Sequence, residues 1–144
     1  MNKKIAIIGM GYVGLSLASF LGNQSKVIGI DTDNDKIKTL EKGRSYFHEP
    51  KINYYLKRAI KNGMTFTNEI TNEIVSSDFV FITVGTPIDK YGKIDLSNIK
   101  SVSRSIAKNM TNLKNHPSII IKSTVIPGTT MNVVKPILEK SGLK

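Results

Sequence analysis

Lys4-Ile5-Ala6-Ile7-Ile8-Gly9-Met10-Gly11-Tyr12-Val13-Gly14 is the stretch whose reading decides the fold. Lys4 to Ile8 is short and almost wholly apolar, the pattern of a strand covered on both faces, as in a parallel sheet. It breaks at Gly9. From Tyr12 onward, Val13, Leu17, Phe20 and Leu21 recur at helical spacing until Gly22-Asn23 ends the periodicity. A buried strand that passes through glycines spaced Gly-x-Gly-x-x-Gly into a helix sets unpaired backbone N–H groups at the strand's end.

Outward from this stretch the alternation repeats. Lys26–Ile30 reads as a second buried strand ending at Asp31; Asp33 caps a helix carrying Ile37 and Leu40, and Gly43 stops it. Gly43 to Pro50 reads as an irregular loop. Ile52, Tyr55, Leu56 and Ile60 predict a helix up to Asn62-Gly63, and Met64–Thr67 a third strand. A short helix through Ile70, Ile74 and Val75 leads to a β-prone run, Phe79–Val84, the fourth strand. After a polar loop from Asp89 to Asp95, a helix is expected over Leu96–Met110 and a fifth buried strand over Ser118–Lys122. The turn Val125–Gly128 and a helix over Thr129–Lys140, bent by Pro136, complete the pattern. Strands alternating with helices predict an α/β fold, one doubly wound parallel sheet of Rossmann type spanning residues 1–144. Right-handed crossovers give it the strand order 3-2-1-4-5.

Composition narrows the chemistry. The 144 residues, 40% of them hydrophobic, suffice for the core of one domain. With no cysteine, disulfides, thiolate metal sites and a thiol nucleophile are excluded within these residues. Only His48 and His116 offer imidazole, and both lie in polar loops, so neither a Ser-His-Asp triad nor a metal constellation is expected. Glu49 and His48 are acid–base candidates by residue type, yet a lone histidine in a polar loop is more often a surface residue than a catalyst, so any chemistry here depends on a bound cofactor. The net charge of +10 is spread along the chain without a run of basic residues, which argues for a lysine-rich surface and against a nucleic-acid partner. No segment approaches the roughly 20 apolar residues of a membrane span. The expectation is a soluble, cytoplasmic domain without a membrane partner.

A doubly wound sheet binds its ligand outside the carboxyl ends of the strands, where the order reverses between strands 1 and 4. Gly9 and Gly85 both fall there. In the dinucleotide reading Gly9 allows the tight turn, Gly11 lets a pyrophosphate approach the backbone, and Gly14 lets the helix pack on the sheet. The phosphates then face the positive end of the helix that begins at Tyr12. Asp31 is placed to accept hydrogen bonds from both ribose hydroxyls and to repel a 2′-phosphate, which favours NAD over NADP. Asp31 could instead cap the next helix, although Asp33 is better placed for that. By spacing alone Lys36 reads as a solvated helix lysine. Thr83 to Pro87 and Ser123-Thr124 suit either a cofactor-lining backbone or ordinary turns.

With Gly9-Met10-Gly11-Tyr12-Val13-Gly14, Asp31 with Lys36, Glu49-Pro50, Gly85-Thr86-Pro87, Asp95-Leu96-Ser97 and Ser123-Thr124-Val125-Ile126-Pro127-Gly128-Thr129 in this order, the chain resembles the N-terminal domain of the UDP-glucose/GDP-mannose dehydrogenase family almost end to end. The resemblance implies a four-electron oxidation, in which two NAD molecules successively take hydride as the C6 alcohol of a nucleotide sugar becomes a carboxylate. It implies that Val13, Asp31, Lys36, Thr86 and Thr124 contact NAD, with Tyr12 and Pro87 beside them, and that Thr124 also helps to position a catalytic water. UDP-glucose is the first expected substrate, with GDP-mannose and UDP-N-acetylhexosamines as alternatives, and polysaccharide biosynthesis is the expected context. The family's nucleophilic cysteine, catalytic lysine and asparagine and most of its sugar site lie in later segments. Without a thiolate the implied covalent steps have no nucleophile. These residues are therefore expected to be the cofactor-binding portion of a longer, homodimeric enzyme and inactive alone. Lys51 departs from the glycine that often follows the family's Glu-Pro pair. Two other readings stay open: a non-catalytic nucleotide-sensing module, which has no need of the Thr-Pro and Ser-Thr-Val turns, and a β-hydroxyacid dehydrogenase, whose frequent use of NADP Asp31 opposes.

Overall fold

The computed structural model describes residues 3–111 and 116–140. In chain order the elements are β1 (Lys4–Ile8), α1 (Tyr12–Leu21), β2 (Lys26–Ile30), α2 (Asn34–Glu41), α3 (Ile52–Lys61), β3 (Thr65–Thr67), α4 (Asn72–Val75), β4 (Phe79–Ile82), α5 (Ser97–Met110) and β5 (Ser118–Ile121). A π-helical turn (Thr130–Val134) then runs into α6 (Lys135–Glu139). All strand pairs are parallel, and the order is β3-β2-β1-β4-β5, as the alternation predicts.

The apolar run of β1 takes its central place through the period-two geometry of a strand. Ile5 and Ile7 face a core shared with Leu15 and Ala18 of α1 and with Leu56 and Ala59 of α3. Ala6 and Ile8 face the opposite core, with Val80 and Ile82 of β4 and Ile106 of α5. Each such aliphatic side chain contributes roughly 1.5–3 kcal/mol when fully buried. Facing two layers at once, β1 fixes where its carboxyl end emerges, and the glycine turn with it. Asp33 caps α2 as expected, accepting from the N–H groups of Asp35 and Lys36.

Several expected boundaries are corrected. The fourth strand ends at Ile82 rather than Val84, because its partner turns away at Gly9; the Thr83 N–H still reaches the Ile8 carbonyl at 2.8 Å. The third strand begins at Thr65, and Ile70 lies outside the short α4 helix. β5, expected to be buried, is an edge strand whose isoleucines are only half covered, with β4 as its one pairing neighbour among the described residues. The last helix is not uniform. Pro136 lacks an N–H and its ring crowds the carbonyl four residues earlier, and the chain there opens into the π turn before α6 begins.

Candidate functional site

At the carboxyl end of β1 the backbone is packed against backbone. Gly9 adopts φ +101°, and a Cβ there would lie 2.9 Å from the Thr83 carbonyl and from the Val84 nitrogen. A Cβ on Gly14 would lie 1.9 Å from the Gly9 oxygen and 2.6 Å from Thr83 Oγ1. A Cβ on Gly11 would meet nothing within 4 Å. Two of the three glycines are thus demanded by the protein's own packing, whereas Gly11 faces open space. No side chain caps α1, so its first-turn N–H groups carry the helix's positive end toward that space uncompensated. Sequence reasoning missed the fastening at Thr83. Its hydroxyl lies 2.7 Å from the Gly9 carbonyl and 3.0 Å from that of Ile8, so one hydrogen bridges the turn to the end of β4.

Asp31 ends β2 beside this turn, with its side chain only 11% exposed. Oδ2 accepts from the Met10 N–H at 2.8 Å and from Lys36 Nζ at 2.9 Å, and Oδ1 accepts from the Asp33 N–H at 3.1 Å. A carboxylate offers about four lone-pair positions. Asp31 therefore retains one, on Oδ1, and not the pair that two ribose hydroxyls would need. Lys36 is no solvated lysine. Burial alone would lower its pKa, but the hydrogen bond and charge of Asp31 outweigh that and raise it, keeping the ammonium charged.

The loop expected to be irregular supplies contacts that the sequence does not announce. Tyr46 donates its hydroxyl to the Met10 carbonyl, and its ring lies 5.3 Å from Lys36 Nζ. Ser16 of α1 donates to Glu49 at 2.9 Å, and Tyr12 packs against Phe47 with ring centroids 4.7 Å apart. The charge of Glu49 also raises the Tyr12 pKa. Lys51, at the start of α3, has φ +66°. A glycine there would adopt this left-handed geometry without the cost of about 1–2 kcal/mol that a Cβ imposes.

A cleft of about 630 Å³ opens beside the turn, with Gly9, Gly11, Asp31 and Lys36 on one wall and Ile70 and Val102 on others. Tyr12 and Val13 are exposed at the start of α1, outside the cleft lining. Thr86, Pro87 and Thr124 are also outside it, in the paired turns that follow β4 and β5. There the Thr86 hydroxyl donates to the Thr124 carbonyl at 2.8 Å, and Ser123 donates to the Val84 carbonyl at 2.7 Å. His48 and His116 are exposed, and no group of three metal-ligating side chains occurs among the described residues. Nor is any described helix long and apolar enough to cross a membrane. The open space at Gly11, the uncapped helix start and the remaining acceptor on Asp31 together suit a dinucleotide whose pyrophosphate lies against the turn and whose ribose lies beside Asp31.

Comparison with known proteins gives the family and agrees with the fold. The chain is 39% identical to the GDP-mannose 6-dehydrogenase of Pseudomonas putida over 138 residues, which is 94% of this chain and 32% of the relative. It is 36% identical to the UDP-glucose 6-dehydrogenase TuaD of Bacillus subtilis, covering 96% of this chain and 30% of that protein. The fold superposes with a TM-score of 0.91 on GDP-mannose dehydrogenase from Pseudomonas aeruginosa, solved as a ternary complex; identity is 36%, and the match covers 97% of this chain and 33% of the other. The chain thus spans about a third of the length of these relatives. Residues 3–144 match the NAD binding domain of one family, so NAD is the cofactor of this domain. The chain belongs to the UDP-glucose/GDP-mannose dehydrogenase family.

Proposed function

We propose that these 144 residues serve as the NAD-binding portion of a nucleotide-sugar 6-dehydrogenase, whose substrate and C-terminal domains lie outside them. The observation that carries this reading is the open space at Gly11 beside the carboxyl end of β2, where Asp31 keeps one acceptor position. Gly9 and Gly14 keep the turn closed, and the N–H groups of Gly11, Tyr12 and Val13 are the donors for the pyrophosphate. Asp31 Oδ1 accepts one ribose hydroxyl, and Lys36, with ammonium hydrogens to spare beyond Asp31, donates to a ribose oxygen. Thr86, Pro87 and Thr124 border the nicotinamide side, and Thr124 further helps to orient a water for the later oxidation step. Bound NAD supplies the acceptor for hydride leaving the sugar C6.

UDP-glucose is the substrate we put first. GDP-mannose, named in the Pseudomonas relatives, and UDP-N-acetylhexosamines are the alternatives to test beside it. The complete enzyme would act as a cytoplasmic homodimer and supply a uronic acid for polysaccharide biosynthesis. The chain itself has no cysteine to form a thiohemiacetal, so it binds cofactor without turning over sugar.

Calorimetric titration of the chain with NAD, NADP and UDP-glucose tests this reading. NAD should bind, NADP much more weakly, and Asp31→Ala should cost about tenfold or more in NAD affinity through lost charged hydrogen bonds. Equal affinity for NADP would remove Asp31 from its role as the selector of an unphosphorylated ribose. NADH formation by the isolated chain with any of the three sugars would overturn the division of labour.

A further inference from the structure

The Tyr46 hydroxyl, 36 positions from its acceptor, reaches the Met10 carbonyl from the loop between α2 and α3. The Met10 N–H is already held by Asp31 at 2.8 Å, so both polar groups of Met10 are tied from outside the turn. Its carbonyl belongs to the same peptide unit as the Gly11 N–H. In a planar trans peptide these two groups point in opposite directions, and no cis bond occurs among the described residues. Holding the carbonyl therefore aims the amide. No hydrogen bond from the Gly11 N–H occurs among the described residues, Gly11 lines the cleft, and a Cβ on it would meet nothing within 4 Å. A hydrogen bond accepted at the carbonyl also polarises the peptide and strengthens the donor at its other end.

We propose that Tyr46 is a positioning residue which, through its hydroxyl on the Met10 carbonyl, aims and polarises the Gly11 N–H as a pyrophosphate donor. Burial and the charges of Asp31 and Asp33 raise the Tyr46 pKa against the opposing pull of Lys36, so the phenol keeps its proton and remains the donor. The ring has a separate role, lying against the Lys36 ammonium next to the ribose side of the site. Removing the hydroxyl alone thus weakens a phosphate contact and leaves the ribose side in place. This inference rests on the reading of the glycine turn as the pyrophosphate site.

Tyr46→Phe, which keeps the ring, separates the two roles when ADP-ribose and adenosine are titrated into the wild-type chain and the variant by ligand-observed NMR. ADP-ribose carries the pyrophosphate and adenosine does not. The expected result is a loss of about fivefold for ADP-ribose, in keeping with one neutral hydrogen bond, with adenosine changed by less than about twofold. An equal loss for both ligands would mean that Tyr46 merely holds the loop or the fold, and would overturn the proposal. Unchanged binding of both would overturn it as well. If the wild-type chain bound neither ligand, the reading of the glycine turn would fail first and this inference with it.

Discussion

The two sides of the cleft's strand-end region are built differently. At the turn after β1, backbone is pressed on backbone: Gly14 and Gly9 sit where a single extra carbon would collide with the main chain of Gly9 itself or of Thr83 and Val84. Beyond β4 and β5, turns are tied by side chains reaching across, with Thr86 on Thr124, Ser123 on Val84, and Asn98 on Gly85. A Cβ on Gly85 would meet nothing within 4 Å. Large apolar side chains also stand exposed there, including Ile88, Tyr91, Ile126 and Met131. The first region is fixed by excluded volume as well as by hydrogen bonds, and the second by a few polar contacts. Glycines of the same kind therefore carry very different energetic weight.

The comparison breaks most easily at Gly14. Gly14→Ala puts a carbon 1.9 Å from the Gly9 oxygen, and relief requires moving α1 off the sheet. A loss of about 3 kcal/mol or more is expected in urea unfolding; a loss below about 1 kcal/mol would show that the turn yields. Thr83→Val sharpens the same contrast from the other side. It keeps the shape but removes the hydroxyl from the Ile8 and Gly9 carbonyls, and its expected cost is about 1–2 kcal/mol by the same measurement. Gly85→Ala should be smallest, within about 0.5 kcal/mol. A large effect there would mean that the second region is as tightly determined as the first.

Much of the architecture is readable from the chain because it rests on repeated patterns. Ile5 to Ile8 and Val80 to Ile82 announce buried strands, and the spacing of Gly9, Gly11 and Gly14 marks a tight strand-to-helix turn. Tyr46 carries no such signal. Its partner is distant in sequence, and its direction is set by the path of a loop without periodicity. Thr83 is hidden for a related reason, since in the β-prone run Phe79–Val84 it looks like any strand residue until the turn at Gly9 is built against it. The number of acceptors left on Asp31 could not be read either. It depends on Lys36 and Met10 arriving together at one oxygen. Pro136 did announce a disturbance, but not that the disturbance would take the form of a wider turn.

The strand register has a consequence for the order of assembly. β1 and β2 join through a local βαβ unit, whereas β1 and β4 pair across about half the length of the chain, and Thr83 fastens Gly9 from 74 residues away. Closing such a long loop is the slower event in folding. A nascent chain that has emerged only as far as β3 carries every glycine of the motif and Asp31, yet lacks the fastening that closes the turn. A site at this turn is therefore expected to close late in folding, and a ligand bound there would stabilise the chain only after the fourth strand has docked.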